Sequence, residues 1–209
     1  MARNISPRCK ICRRTGDKLF LKGNRCASDK CAFEKRPFPP GQKSKMRRSK
    51  LSNYGIQLRE KQRVRKSYGI LEKQFKLYFK KAEQKKGVTG TNLLRLLELR
   101  LDNIIFRLGF ALSRNNARQL VRHSFFSVNG KKVNIPSYLV KEGDVIEIRN
   151  NEKREKVIKD NIELTQSREN VEWLEVDEKI LKGIVKRVPE REDISEAIQE
   201  HFIIELYSK

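Results

Sequence analysis

Apolar residues recur at helical spacing through the middle of this chain and at strand spacing further on. Between Leu71 and Gln84, the positions Leu71, Phe75, Tyr78 and Phe79 fall on one face, which predicts a helix with an aromatic core stripe. Upstream, Ser52 reads as an N-cap and Gln57 to Tyr68 as a helix. Gly87 and Gly90 then break the chain. The stretch from Leu93 to Leu108 is the most apolar; it predicts a central core helix, or two helices meeting near Arg100. A helix from Ser113 to His123 starts at a serine cap, with Ala117, Leu120 and Val121 inward and Arg114, Arg118 and Arg122 outward. Two β-prone runs, Ser124 to Val128 and Lys131 to Ile135, flank Asn129-Gly130, the strongest short hairpin signal. Asp144 to Ile148 predicts a further strand. Beyond it lie a charged helix over 152–168, short strands at Val171 to Val176 and Ile184 to Val188, an acidic loop from Pro189 to Asp193, a short helix and a final run from Phe202 to Tyr207.

The predicted class is therefore α+β and mostly helical. With 209 residues the chain holds one large domain or two small ones with modest cores. Only 37% of residues are hydrophobic and 35% are charged, so the chain covers little of itself and is expected to take part of its order from a partner. Charge says which partner. Lys and Arg total 48 against 26 acidic residues, a net of +22. Residues 1–100 carry 29 basic and 7 acidic side chains, whereas residues 151–209 carry 11 and 15. A segment so basic repels itself until something acidic neutralises it, and nucleic acid does so with release of counterions. An anionic membrane surface is the competing partner. No apolar run approaches about 20 residues, so no spanning helix is predicted. Met1 to Pro7 lacks the apolar core of a signal peptide, so a cytoplasmic location, or an organelle's equivalent compartment, is expected.

The four cysteines, Cys9, Cys12, Cys26 and Cys31, all lie near the start, as Cys-x2-Cys, thirteen residues, then Cys-x4-Cys. In a reducing compartment such pairs are metal ligands before they are disulfides. Four thiolates suit one structural Zn2+ and leave no open position for catalysis. A metal would also staple a segment, residues 1–45, with few large apolar residues. Free thiols, a disulfide pair and an iron–sulfur cluster are the alternatives.

Pro37, Pro39, Pro40 and Gly41 forbid regular structure, and the following Lys43, Lys45, Arg47, Arg48 and Lys50 read as an extended arm laid on phosphates. In the first long helix Arg59, Arg63 and Lys66 fall three or four apart, with Lys61 and Arg65 on a neighbouring stripe, which makes a phosphate-tracking surface. Arg3, Arg13, Arg14 and Arg25 around the cysteines, Tyr54, the row Arg114, Arg118 and Arg122, and the hairpin residues Lys131 and Lys132 complete the candidate RNA-binding set. Solvated linkers and faces are the plain alternatives.

Residues from about Arg100 to Ile148 resemble the small RNA-binding module named after ribosomal protein S-four. The match lies in Arg100-Leu101-Asp102-Asn103, Arg107-Leu108-Gly109-Phe110, Ala117-Arg118-Gln119-Leu120-Val121 and Val128-Asn129-Gly130-Lys131. That module also occurs in some tyrosyl-tRNA synthetases and pseudouridine synthases. The flanks narrow the choice. Tyr54 to Gln62, Tyr68 to Phe75, Asn92 to Leu94, Trp173 to Asp177 and Glu205 to Lys209 are similar to the bacterial-type small-subunit ribosomal protein S-four family, and the cysteines to its zinc-bearing branch. The resemblance implies a structural constituent of the small ribosomal subunit that binds the five-prime domain of its RNA early in assembly. It also implies neighbours in ribosomal proteins S-five and S-three, a role in decoding accuracy through S-five, and in some members repression of the protein's own messenger. It implies three regions: a zinc-binding extension and arm over 1–45, a helical domain over 46–95 on which a C-terminal strand from 189–209 packs back, and a domain over 96–188 holding the module.

Two rival functions fit parts of the pattern. Arg100-Leu101-Asp102 is similar to the catalytic motif of pseudouridine synthases, but Asp102 sits in a Leu-rich run, where capping or pairing with arginine is the expected role. There is no Gly-rich phosphate loop, and His123 and His201 stand alone in sequence, so no catalysis is expected. A zinc-dependent DNA-binding regulator would gather its charge on one groove-reading helix, whereas here it spreads over several elements, which suits folded RNA.

Overall fold

The structure is a computed structural model and describes residues 4–41, 50–149, 151–166, 168, 171–177, 180–194 and 198–208. The chain divides into two compact units, residues 1–93 with 196–209, and residues 94–195.

The first unit begins with three short helices, α1 (Arg8–Thr15), α2 (Asn24–Ala27) and α3 (Ala32–Lys35), none of which the sequence pattern signalled. Gly16 ends α1 at φ 87° and donates its N–H to the Cys12 carbonyl at 2.8 Å, a left-handed cap that costs glycine nothing. Next comes α4 (Asn53–Ser67), whose cap is Ser52: its hydroxyl accepts the Gly55 N–H at 3.2 Å. The aromatic stripe of α5 (Glu72–Glu83) is core, as its spacing predicts, with Phe75, Tyr78 and Phe79 all buried. The C-terminal segment does return to this unit, but as a helix, α10 (Glu200–Tyr207), not as the expected strand. A continuous run such as Phe202-Ile203-Ile204 does not separate the two by periodicity. Tertiary contact decides for helix: α10 packs on α4, Ile203 is fully buried, and the Tyr207 ring lies 4.6 Å from Phe79. Gly90, near the start of α6 (Thr89–Glu98), permits the close approach of α10, since a Cβ there would meet Glu200 Cγ at 2.6 Å.

In the second unit the apolar run continues into a separate helix, α7 (Leu101–Arg107), so two helices do meet at Arg100. Ser113 caps α8 (Arg114–Arg122) by accepting the Asn116 N–H at 3.2 Å. Then follow β1 (Phe126–Val128), β2 (Lys131–Lys132), β3 (Val145–Ile148), α9 (Glu152–Thr165), β4 (Leu174–Asp177) and β5 (Lys182–Val185). Asn129 (φ 50°) and Gly130 (φ 75°) form the hairpin turn, which needs positive φ at both positions. Asn129 also ties the turn to β3: its Oδ1 accepts the Val145 N–H at 2.9 Å. All described strands join one antiparallel sheet in the order β2-β1-β3-β5-β4, with Phe126 opposite Ile148 and Val145 opposite Ile184. Helices α7 and α8 share a core with the sheet through Ile104, Ile105, Val121, Phe126, Ile146 and Val185. Trp173 and Ile158 of α9 join it, and Asn161 donates to the Phe110 carbonyl at 3.0 Å. Gly183 is required where β5 meets the end of α7, because a Cβ would come within 2.5 Å of Leu108.

Candidate nucleic-acid interface

Folding sorts the predicted cations into those offered to solvent and those used inside. In the first unit Arg14, Arg25, Lys50, Arg59 and Tyr54 are exposed. Arg13 is half-buried; its Nε donates to the Phe38 carbonyl at 2.9 Å and its guanidinium lies 5.4 Å from the Phe38 ring, which pins the proline-rich turn to α1. Arg3, Lys43, Lys45, Arg47 and Arg48 lie outside the described residues.

The rows on α4 differ from the expected open surface. This helix is packed on two sides, by α1 and by α10, so most of its cations face protein. Lys61 is 8% exposed, pairs with Glu72 and stands 5.5 Å from the Tyr207 ring. Arg63 pairs with Asp17 at 3.2 Å and Glu60 at 3.4 Å, and Arg65 with Glu72 at 3.4 Å. Burial, with Arg65 and Arg14 nearby, pushes the Lys66 ammonium below its usual pKa. Burial alone would raise Glu72, but Lys61, Tyr207 and Arg65 outweigh it and hold the carboxyl below its ordinary range. Tyr207 donates its hydroxyl to Glu72 at 2.9 Å, and its phenol is raised, by burial first and then by Glu72. Lys61 is thus tied to Glu72 of α5 and lies against Tyr207 of α10, not on the open surface its spacing predicts. A surface that the sequence pattern did not single out lies on α5, where Lys73, Lys76, Lys80 and Lys81 are exposed opposite the aromatic stripe. Their spacing of three and four is visible in the sequence, but the aromatic face dominates the pattern there.

In the second unit Arg122, Lys131 and Lys132 are exposed. Arg114 is half-buried, donates to Asn103 at 2.8 Å and lies 4.8 Å from the Phe106 ring. Arg118 does not face outward as predicted. It is 7% exposed, and its Nη1 lies 3.4 Å from Asp102. Asp102, itself 3% exposed, also takes a two-pronged contact from Arg100 at 3.0 and 2.6 Å. Burial pushes the Arg118 guanidinium below its usual pKa, and Asp102 opposes that shift. A second buried latch joins Glu98 to Arg107 at 2.9 Å and to Asn103 at 2.7 Å. The resembling tetrapeptide Arg100 to Asn103 is therefore a set of internal ionic and polar contacts, as expected for Asp102. The helical period puts Arg118 on the arginine row; the inward tilt of that row, toward α7, comes from packing.

The four cysteines line one cavity with Arg8, Lys18, Leu21, Lys22 and Phe33. Cys12, Cys26 and Cys31 are buried and Cys9 is half-buried. Burial, aided by the neighbouring thiols, raises Cys12 and Cys26. Backbone groups oppose this: a hydrogen bond from Leu19 reaches Cys12, and the Lys22 N–H meets Cys26 Sγ at 3.4 Å. Amides directed at sulfur, among four thiols gathered round one cavity, suit the donor chemistry of a thiolate metal site. Among the described residues no group of three or more His, Cys, Asp or Glu is arranged to hold a metal ion.

Comparison with known proteins identifies the combination. Residues 3–98 match the family described as ribosomal protein S4/S9 N-terminal domain, and residues 99–146 match the S4 domain. The small ribosomal subunit protein uS4 of Thermodesulfovibrio yellowstonii is 56% identical over 209 residues, covering 100% of both chains. Those of Desulforapulum autotrophicum and Solidesulfovibrio magneticus are likewise 56% identical with 100% coverage of both. The two matched regions follow each other along the chain, and the similarity extends through the tail; the chain belongs to the uS4 family of small-subunit ribosomal proteins.

Proposed function

We propose that this chain is a structural constituent of the small ribosomal subunit that binds ribosomal RNA and catalyses no reaction. The observation that carries the reading is the full-length 56% identity to small ribosomal subunit proteins uS4. Cations exposed on several elements support it: Arg14, Arg59 and the α5 lysines in one unit, Arg122, Lys131 and Lys132 in the other. A spread of this kind grips phosphates of several RNA helices by shape, with no groove-reading helix. Asp102 is locked to arginines and buried, which leaves no carboxylate there for an attack on a base. No helix among the described residues is long and apolar enough to cross a membrane.

The RNA target is the five-prime domain of small-subunit ribosomal RNA, bound early in assembly. Ribosomal proteins S-five and S-three are the proposed neighbours, with an effect on decoding accuracy through S-five, and the protein's own messenger is a further proposed ligand. Cys9, Cys12, Cys26 and Cys31 would hold one structural Zn2+, which would supply the crosslink their small core lacks. Binding of the purified chain to a five-prime-domain transcript, in excess transfer RNA, tests the central reading. Tight binding that survives the competitor is expected, and a fall to the transfer-RNA level defeats it. Arg122→Ala should weaken that binding and lower the salt slope by about one unit, because one phosphate is no longer neutralised.

A further inference from the structure

We propose that Phe20 is a stacking platform for an unpaired base of the bound RNA. The inference rests on the RNA-binding reading above and concerns a residue outside the charged set.

Phe20 faces solvent because its neighbours cannot. Leu19 (8% exposed) and Leu21 (6%) are both buried beside Ile11 and Cys12, so the residue between them is turned out, and Phe20 is 51% exposed. Its φ is 48°, in the left-handed region where a bulky side chain is strained. The other described non-glycine residues at positive φ have a local reason: Ser124, at φ 57°, closes the end of α8, its N–H donating to the Val121 carbonyl at 2.8 Å. Asn129, at φ 50°, serves the hairpin turn and hydrogen-bonds locally, and Leu181, at φ 53°, buries its side chain in the core. A residue selected for the turn at position 20 alone would be glycine or asparagine. The exposed ring gains little from burial to offset the strain, and strain of this kind clusters at ligand sites.

The surroundings say which ligand. Lys18 Nζ stands 5.4 Å from the centre of the ring and also pairs with Glu34. Arg14, Lys22 and Arg25 are exposed on the same short segment. An aromatic face bordered by cations matches single-stranded RNA, whose bases stack on the ring while its phosphates meet the charges.

The test uses the full chain and the five-prime-domain transcript, with Phe20→Gly, Phe20→Leu and Phe20→Tyr. Phe20→Gly should relieve the backbone and leave amide-exchange protection of residues 4–41 unchanged or higher, yet weaken RNA binding by about 5- to 100-fold. Phe20→Leu should lose nearly as much, and Phe20→Tyr should bind like the parent. The salt slope should stay the same in all three, because no charge is removed. Three results overturn the proposal: Phe20→Gly binding like the parent, Phe20→Leu binding like the parent, or Phe20→Gly losing protection together with affinity, which would make the ring a packing residue. If the parent chain itself fails to bind, the RNA-binding reading falls and takes this proposal with it.

Discussion

The cysteine-bearing segment and the second unit solve the same problem, how to order a highly charged chain, with different means. In the segment over residues 4–41 the buried apolar cluster consists of Ile11, Cys12, Leu19 and Leu21, with Phe33 against it. In the second unit nineteen buried residues, from Leu101 to Val185, form one cluster, with two buried ionic latches at its edge. Burial of that size stabilises a fold without help, because each large side chain taken from water contributes about 1.5–3 kcal/mol. Four such residues do not offset the backbone entropy of ordering a segment this long. The proposed zinc would make up in residues 4–41 for the core that the second unit already has.

Metal removal should break the comparison most strongly. Structural zinc contributes on the order of 10 kcal/mol to small cysteine-rich folds. Chelation, or Cys26→Ser, should therefore abolish amide-exchange protection in residues 4–41 and leave the second unit as it was. Unchanged protection in a chain shown by metal analysis to be metal-free would remove zinc from the account.

Asp102→Asn comes next. It leaves Arg100 and Arg118 buried beside a neutral amide, and should cost about 3–5 kcal/mol. Trp173, the single tryptophan and fully buried in this unit, reports the unfolding by fluorescence. A loss below about 1 kcal/mol would mean that the latch adds little to the apolar core.

Gly183→Ala should be milder, about 1–3 kcal/mol by the same probe, since the new Cβ must displace Leu108. A neutral result would show that the α7 side of the core yields easily.

The smallest effect concerns acid. Glu72 is held below its ordinary pKa, so its contribution is complete above the unfolded value of about 4.3 and is lost as pH falls through the lower folded value. Its side chain is 45% exposed, so solvent screens the effect. Amide exchange in α10, followed across that range, should show docking weaken in the parent chain. In Glu72→Gln the dependence should be flatter. Equal curves would assign the acid response to other carboxylates.

How far the sequence reaches varies with the length of chain each feature needs. Both serine caps, the Asn129-Gly130 turn, the aromatic face of α5 and the break at Arg100 were legible, because each depends on residues within a turn or two of one another. The charge imbalance and the cysteine spacing were legible because counting and spacing need no fold, and through them the partner class and the candidate metal donors. What folding alone decided required distant chain. Lys61 and Arg118 share their spacing with cations that stay outside; Glu72 with Tyr207 in one case and Asp102 in the other turn them inward. The tail became a helix because Ile203 and Tyr207 found α4 and α5, and the short strands joined the hairpin's sheet by long-range pairing, β5 with β3 and β4 with β5. Local periodicity fixes which side of an element a residue occupies; which side meets solvent is settled by what packs against it.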